Sequence, residues 1–167
     1  SITIGPFGSS LKVSDYKTEG VPLIFVRNIR TQQFSSHNPK FISIQKADEL
    51  KAHKVVPGDI LVTKMGDPPG DACIYPANCQ EGVLTADCIK ISTEFDYLDK
   101  IFFVYAIRSS VVSSQIKKIT TGVAQQKVSL ERFKSIALPF PPKNERREIG
   151  KRLSEASDRL TKIEKLA

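Results

Sequence analysis

Between Ile149 and Ala167, apolar residues recur at spacings of 4, 3, 4, 3 and 4, through Ile149, Leu153, Ala156, Leu160, Ile163 and Ala167, while Lys, Arg, Glu and Asp fill nearly every other position. That is a narrow a/d seam, thinner than the face a helix turns toward a globular core, and it asks for one partner helix. Pro141-Pro142 stand just before it. Adjacent prolines remove backbone donors and hold the preceding residue extended, so no helix or central strand runs through them. They divide a domain over residues 1–142 from a spacer or dimerisation helix over 143–167. Asn144 is the expected N-cap; Glu145 and Glu148 follow where carboxylates suit the helix dipole, and Lys162 and Lys165 lie near the other end. At ~1.5 Å per residue the helix is roughly 35 Å long, about one turn of B-DNA.

The 167 residues suit one domain plus an appendage, and 40% apolar residues are enough to build a core. Twenty-five Lys and Arg against 18 Asp and Glu leave a net charge of +7, which favours a polyanionic partner without specifying a fold. No apolar run approaches the roughly 20 residues that span a bilayer, so no membrane partner and a cytoplasmic location are expected. The opening at Ser1, without methionine and straight into GPFGS, is what an excised piece of a longer protein would show. Cys73, Cys79 and Cys88 are irregularly spaced and far from His37 and His53. They make no zinc pattern and are expected as small thiols in a reducing compartment.

GPFGSSLK, Gly5 to Lys12, reads as an ordered loop, and the apolar run Val21 to Ile29 as a strand buried on both faces, with Arg27 and Asn28 at its end. Phe41 to Ile44 alternates like a strand, and Gln45 to Lys54 reads as a short exposed helix. A turn at Pro57-Gly58-Asp59 leads to a strand at Ile60 to Thr63 and a loop from Lys64 through Gly70. Ala72 to Tyr75 and Cys88 to Ser92 are further strands, with a turn at Asn78 to Gly82 between them. Asp96 caps a helix through Leu98, Ile101, Phe102, Tyr105 and Ala106, and a second helix ends at Lys117-Lys118. Thr120 to Lys127 is a polar loop, Ser129 caps a short turn, and Ile136 to Phe140 is the last strand. Strands and helices interleave without a strict βαβ rhythm, giving a mixed α+β globular domain followed by a long C-terminal coiled-coil-type helix.

The chain offers little for catalysis. Asp67-Pro68-Pro69 resembles the motif with which amino-methyltransferases hold a flipped base, but Gly70 stands where that motif needs an aromatic ring, and there is no glycine-rich turn for a methyl donor. No Ser-His-Asp or Cys-His arrangement is credible, and GxxxxGK[ST] does not occur. A binding module with no catalytic residue, cofactor or metal is the expectation. Its nucleic-acid candidates are Ser9, Lys12, Arg27, Asn28, Arg30, Lys64, Lys117, Lys118, Gln125, Gln126 and Lys127, nearly all in loops or at element ends. Lysines would position phosphates, while Arg, Asn and Gln carry the two-pronged groups that match guanine and adenine edges.

Four stretches, GPFGSSLK at Gly5 to Lys12, GVPLIFVRNI at Gly20 to Ile29, PGDILVTKMG at Pro57 to Gly66 and TGVAQQKVSLERFKSIALPFPPKNERREI at Thr121 to Ile149, stand in an order and spacing that resemble the target-recognition domain of the specificity subunit of type I restriction-modification enzymes. The likeness covers essentially the whole chain. It departs from the usual pattern at Arg146, where glutamine is common at the helix start. The resemblance implies sequence-specific recognition of double-stranded DNA. In that family one subunit carries two such domains, each reading half of a split target across a gap set by long antiparallel helices. Methyltransferase subunits that hold the methyl donor dock on it, and a restriction subunit can join. The chain would then pair through its C-terminal helix with a second recognition domain or a second copy of itself. Two other readings stay open from the residues alone: a coiled-coil interaction protein without DNA specificity, and a fragment of an adenine-specific DNA methyltransferase.

Overall fold

The computed structural model describes residues 1–30, 33–122 and 126–164. Its centre is a run that the sequence makes apolar at every position but the last. Strand β5 (Ile60–Thr63) is buried throughout, and its side chains alternate between two cores. Ile60 and Val62 face one, Leu61 the other, as the period of two requires. β5 lies between β8 (Cys88–Ile91) and β6 (Ala72–Ile74), and β1 (Ile2–Ile4) pairs with the far side of β8, giving an antiparallel sheet in the order β1-β8-β5-β6. Ile60 stands opposite both Ile74 and Ile91.

A second small sheet has the order β3-β2-β7-β4, from β3 (Phe41–Ile42), β2 (Val21–Ile24), β7 (Gly82–Leu84) and β4 (Lys54–Val55). β2 and β7 run parallel with Leu23 opposite Val83, and the other pairs are antiparallel. The two sheets meet at Thr85, whose hydroxyl donates to the Ile24 carbonyl at 2.7 Å. Ile24, Leu61, Cys73, Tyr75, Leu84 and Cys88 fill the space between them.

Helices cover the opposite face of the first sheet. α3 (Tyr97–Arg108) and α4 (Ser110–Ile119) send Phe102, Phe103, Ile107, Val112 and Ile116 onto Ile60, Val62 and Ile89. Their caps are those expected of Asp and Ser. The Asp96 carboxylate accepts from Asp99 N at 3.1 Å, and Ser109 Oγ accepts from Val112 N at 3.4 Å. Ser129 caps α5 (Leu130–Lys134) in the same way.

Several sequence-based expectations change here, each for a local reason. Val21 to Ile29 is not one strand. Asn28 Oδ1 accepts from Phe25 N at 2.8 Å, and the chain leaves β2 for a helical turn, α1 (Val26–Ile29). A short amide side chain bonding its own backbone offers an alternative to the sheet ladder. Ser43 caps α2 (Ile44–Glu49), so β3 stops at Ile42, and the region expected as one helix to Lys54 ends as a 3-10 turn at Lys51–His53 that feeds β4. Gly82, expected in a turn, opens β7, and β1 lies in a stretch for which the sequence predicts no strand. Residues 136–140, expected as a strand, form none. Ala137 exchanges both of its backbone bonds with the Gln115 side-chain amide, at 2.9 and 3.0 Å.

The largest revision concerns α6 (Lys143–Glu164). It starts directly after Pro142, whose carbonyl accepts from Arg146 N at 3.0 Å, so Asn144 lies inside the first turn and is not the cap. Its proximal half does not wait for a partner helix but packs along α3. A Cβ placed on Gly150 would lie 2.1 Å from the Leu98 carbonyl oxygen, so only glycine permits this approach of the two helices. Arg146 Nε donates to Asp99 Oδ1 at 2.9 Å, and Arg147 pairs with Asp96 at 3.3 Å. Ile149 packs against the main core, whereas Leu160 and Ile163 are 61% and 62% exposed. The apolar stripe is therefore divided between its own domain and an open distal edge. Ala167 and Lys165 lie outside the described residues.

Candidate nucleic-acid interface

β5 ends at Thr63, and the loop that follows is closed at its base by that side chain. Thr63 Oγ1 accepts from Gly70 N and Asp71 N, each at 3.0 Å. The loop is then sewn to a second segment far along the chain. Lys64 O accepts from Val128 N at 3.0 Å, Met65 bridges Lys127, and Gly66 N donates to the Gln126 carbonyl at 3.2 Å. Lys127 in turn exchanges backbone bonds with Thr121 at 2.9 and 3.0 Å. The polar loop singled out in the sequence is thus pinned at its described ends, with Gln126 half-buried and Lys127 exposed on it.

Arg30, at the end of α1, reaches the same place. Its Nη2 would lie 3.1 Å from a Cβ on Gly66, so a larger residue there would meet the guanidinium. Asp71 stands behind it. Burial pushes its carboxyl above the ordinary carboxylate value, and Arg30 and Arg108 draw it back. Lys117 and Lys118 are exposed on the last turn of α4, where cations complement the helix dipole, just before the chain enters the Thr121–Lys127 bridge. Ile116 on that turn lies against Gly70, which holds α4 to the loop. Arg30, Lys64, Gln126 and Lys127 are therefore gathered about Gly66 as a candidate rim, with Lys117 and Lys118 a few residues before the Thr121–Lys127 bridge. Three separated stretches supply them.

Lys64 is half committed, since its ammonium donates to the Ala86 carbonyl at 3.4 Å. The remaining candidates are Asn28, Arg27, Ser9, Lys12 and Gln125. Asn28 is only 4% exposed, with its amide spent on Phe25 N and on the Ser35 carbonyl at 2.7 Å, so it is a buried brace and presents nothing to a duplex. Arg27 lies 4.1 Å over the Phe25 ring and donates to the Asn38 carbonyl at 3.1 Å, away from Gly66 along the second sheet. Ser9 and Lys12 are exposed in the first loop, whose root at Gly5 is pressed on the Thr85–Ala86 backbone. Gln125 lies outside the described residues.

The sequence does not single out Asp71, which has no distinguishing neighbour beyond the proline-rich loop, or Arg108, whose guanidinium lies 4.8 Å over the Tyr105 ring. The thiols of Cys73 and Cys88 are buried and pushed up to about 12 by that burial, which keeps them protonated and poor ligands or nucleophiles. Among the described residues no cluster of His, Cys, Asp and Glu could hold a metal ion, and no helix is long and apolar enough to cross a membrane. The arrangement is suited to holding phosphates and presenting planar hydrogen-bonding groups.

A family model described as the type I restriction modification DNA specificity domain matches residues 11–167. The type I restriction enzyme MjaVIII specificity subunit of Methanocaldococcus jannaschii is 25% identical over 126 residues, which are 75% of this chain and 27% of that protein. The same fold occurs in the S subunit of a type I restriction-modification system from M. genitalium, with a TM-score of 0.63 and 16% identity over 99% of this chain and 38% of that one. It also occurs in the HsdS subunit of Thermoanaerobacter tengcongensis, with a TM-score of 0.65 and 17% identity over 99% of this chain and 37% of that one. The chain spans about a quarter of its curated relative and under two fifths of these solved chains.

Proposed function

The chain belongs to the type I restriction modification DNA specificity domain family, and from that premise we propose that it reads one half of a split duplex target for a type I restriction-modification enzyme. The observation that carries this reading is the rim around Gly66. Its cations and amides come from the end of α1, the loop after β5 and the segment after α4, and backbone hydrogen bonds between the last two, with Thr63 closing the loop, fix their main chains. Rigid placement of this kind is what base-edge recognition needs, because a bidentate contact discriminates only when its geometry is fixed.

The division of labour follows from the residues. Lys117, Lys118 and Lys127 would hold phosphates and set the register of the domain on the duplex. Arg30, with a fork of donors, and Gln126, with an amide, would address base edges. Neither group moves a proton or attacks a bond, so the domain would be non-catalytic. Methylation would fall to methyltransferase subunits docked on the complete specificity subunit, and cleavage to a restriction subunit. α6 would be the spacer, with Leu160 and Ile163 meeting the corresponding helix of a second recognition domain or a second copy.

The test is a map of modified adenines in cells that carry the complete specificity subunit and its methyltransferase. Arg30→Ala with Gln126→Ala is expected to relax or abolish recognition in one half of the methylated sequence and leave the other half intact, at about 1–3 kcal/mol for each base-edge interaction removed. An identical sequence requirement in both halves would contradict the proposal.

A further inference from the structure

We infer that the joint between α3 and α6, with Gly150 seated on the Leu98 carbonyl and Arg146 bound to Asp99, sets the gap between the two half-targets; this rests on the reading of α6 as the spacer. Arg146 and Gly150 are positioning residues here, acting through the direction of the helix and touching no DNA.

The joint is built more tightly than simple attachment needs. Arg146 is 4% exposed, and its guanidinium lies within 4.4 Å of the Phe140 ring centre and 5.3 Å of that of Phe95. Its Nη1 donates to the Pro141 carbonyl at 3.0 Å, which ties the helix to the segment leading into it. One side chain thus fixes the start of α6 to both α3 and the proline hinge. A turn later, Gly150 allows backbone-to-backbone contact with Leu98. Farther along, Ser157, Leu160 and Thr161 line a cleft of about 510 Å³ opposite Tyr97, Ile101 and Tyr105. One face of the helix therefore follows α3 as far as Thr161, while Leu160 and Ile163 are left open near its tip.

A change of direction at the root of a rod grows with distance along it. Arg146 to Gly150 is roughly 6 Å and Arg146 to Glu164 roughly 27 Å at ~1.5 Å per residue. A methyl group on Gly150 must move from 2.1 Å to an ordinary contact with the Leu98 oxygen. Pivoting about Arg146, that displacement of about 1 Å grows to about 5 Å at the far end, which exceeds the ~3.4 Å between successive base pairs.

The experiment uses the complete specificity subunit assembled with its methyltransferase, and scores methylation of duplexes whose half-sequences are separated by the native gap or by one base pair more or fewer. Gly150→Ala and Asp99→Asn are compared with the parent and with Lys151→Ala on the exposed face of the same helix. In both joint variants the preference for the native gap is expected to fall about tenfold or more, with the half-sequences unchanged, while Lys151→Ala keeps the parent's preference. Retention of the full gap preference in a folded joint variant overturns the inference. So does a loss of methylation at all gaps in equal proportion, which is what a merely stabilising contact would give. Should Gly150→Ala not yield folded subunit, Asp99→Asn, which keeps the side-chain shape, decides. A parent that tolerates any gap would overturn the spacer reading itself, an outcome distinct from variants that behave like a gap-selective parent.

Discussion

Arg146 Nε donates to Asp99 Oδ1 at 2.9 Å with both side chains almost wholly buried, at 5% and 2% exposure. The pair is compensated by the Pro141 carbonyl and by three aromatic rings around the guanidinium. Asp99→Ala leaves that cation without its carboxylate, and removal of one member of a buried pair costs about 3–5 kcal/mol. Urea denaturation of the chain is expected to show that loss. Arg146→Met with Asp99→Leu should recover much of it, because two apolar residues leave no charge uncompensated. A single-variant loss below about 1 kcal/mol would contradict the burial of the pair.

Asp96 is held below the ordinary carboxylate value of 3.8 by the bond from Asp99 N, with Arg147 and Lys143 adding to it. A depressed carboxyl contributes stability that is fully present above its unfolded value and is lost as the pH falls through its folded value. Asp96→Asn keeps a capping oxygen without the charge. It should be less stable than the parent at neutral pH, with the difference shrinking below the ordinary carboxylate value and vanishing in strong acid. Thermal melts over that range check this, and a difference that persists unchanged in acid would refute it.

Asn28 is a brace. Asn28→Ala leaves Phe25 N and the Ser35 carbonyl without a partner in a part-buried place, at a cost of about 1–3 kcal/mol. Duplex affinity per folded molecule should be unaltered. A selective loss of one base preference without loss of stability would return Asn28 to the interface.

Leu160 and Ile163 form an apolar edge on an otherwise charged helix end. The chain on its own should associate through it, so sedimentation velocity is expected to show a coefficient that rises with concentration. Leu160→Glu with Ile163→Glu should hold it at the monomer value. Equal sedimentation of parent and variant at every concentration would count against the distal edge as a docking surface.

Much of the fold is legible where local chemistry decides structure. The β5 run, the caps at Asp96 and Ser129, and the break at Pro141-Pro142 are set by residues within a turn of the element they control. The Val21–Ile29 run misleads because one side-chain amide, Asn28, outweighs a strongly strand-forming sequence. The strands β1 and β7 escape notice because three residues carry almost no period. For the candidate rim, residue type is informative and position is not. Lys127 and Arg30 come to the same loop only because Met65 bridges Lys127 and the Arg30 side chain reaches Gly66, and no spacing in the chain records that. The a/d spacing of α6 is visible, but an a/d stripe does not say which helix it will meet. Gly150, the residue that admits α3, looks in sequence like a mere weakness in the helix.

The claim that this domain holds duplex DNA through its cations is tested most directly by the salt dependence of duplex binding by the specificity subunit. Each phosphate contact releases counterions, so log affinity should fall linearly with log salt concentration, by about 0.9 for every phosphate neutralised. Lys117→Ala, Lys118→Ala and Lys127→Ala, combined in one protein, are predicted to flatten that slope by about 2–3 while leaving the preferred base sequence the same. A slope identical to that of the parent would contradict the account.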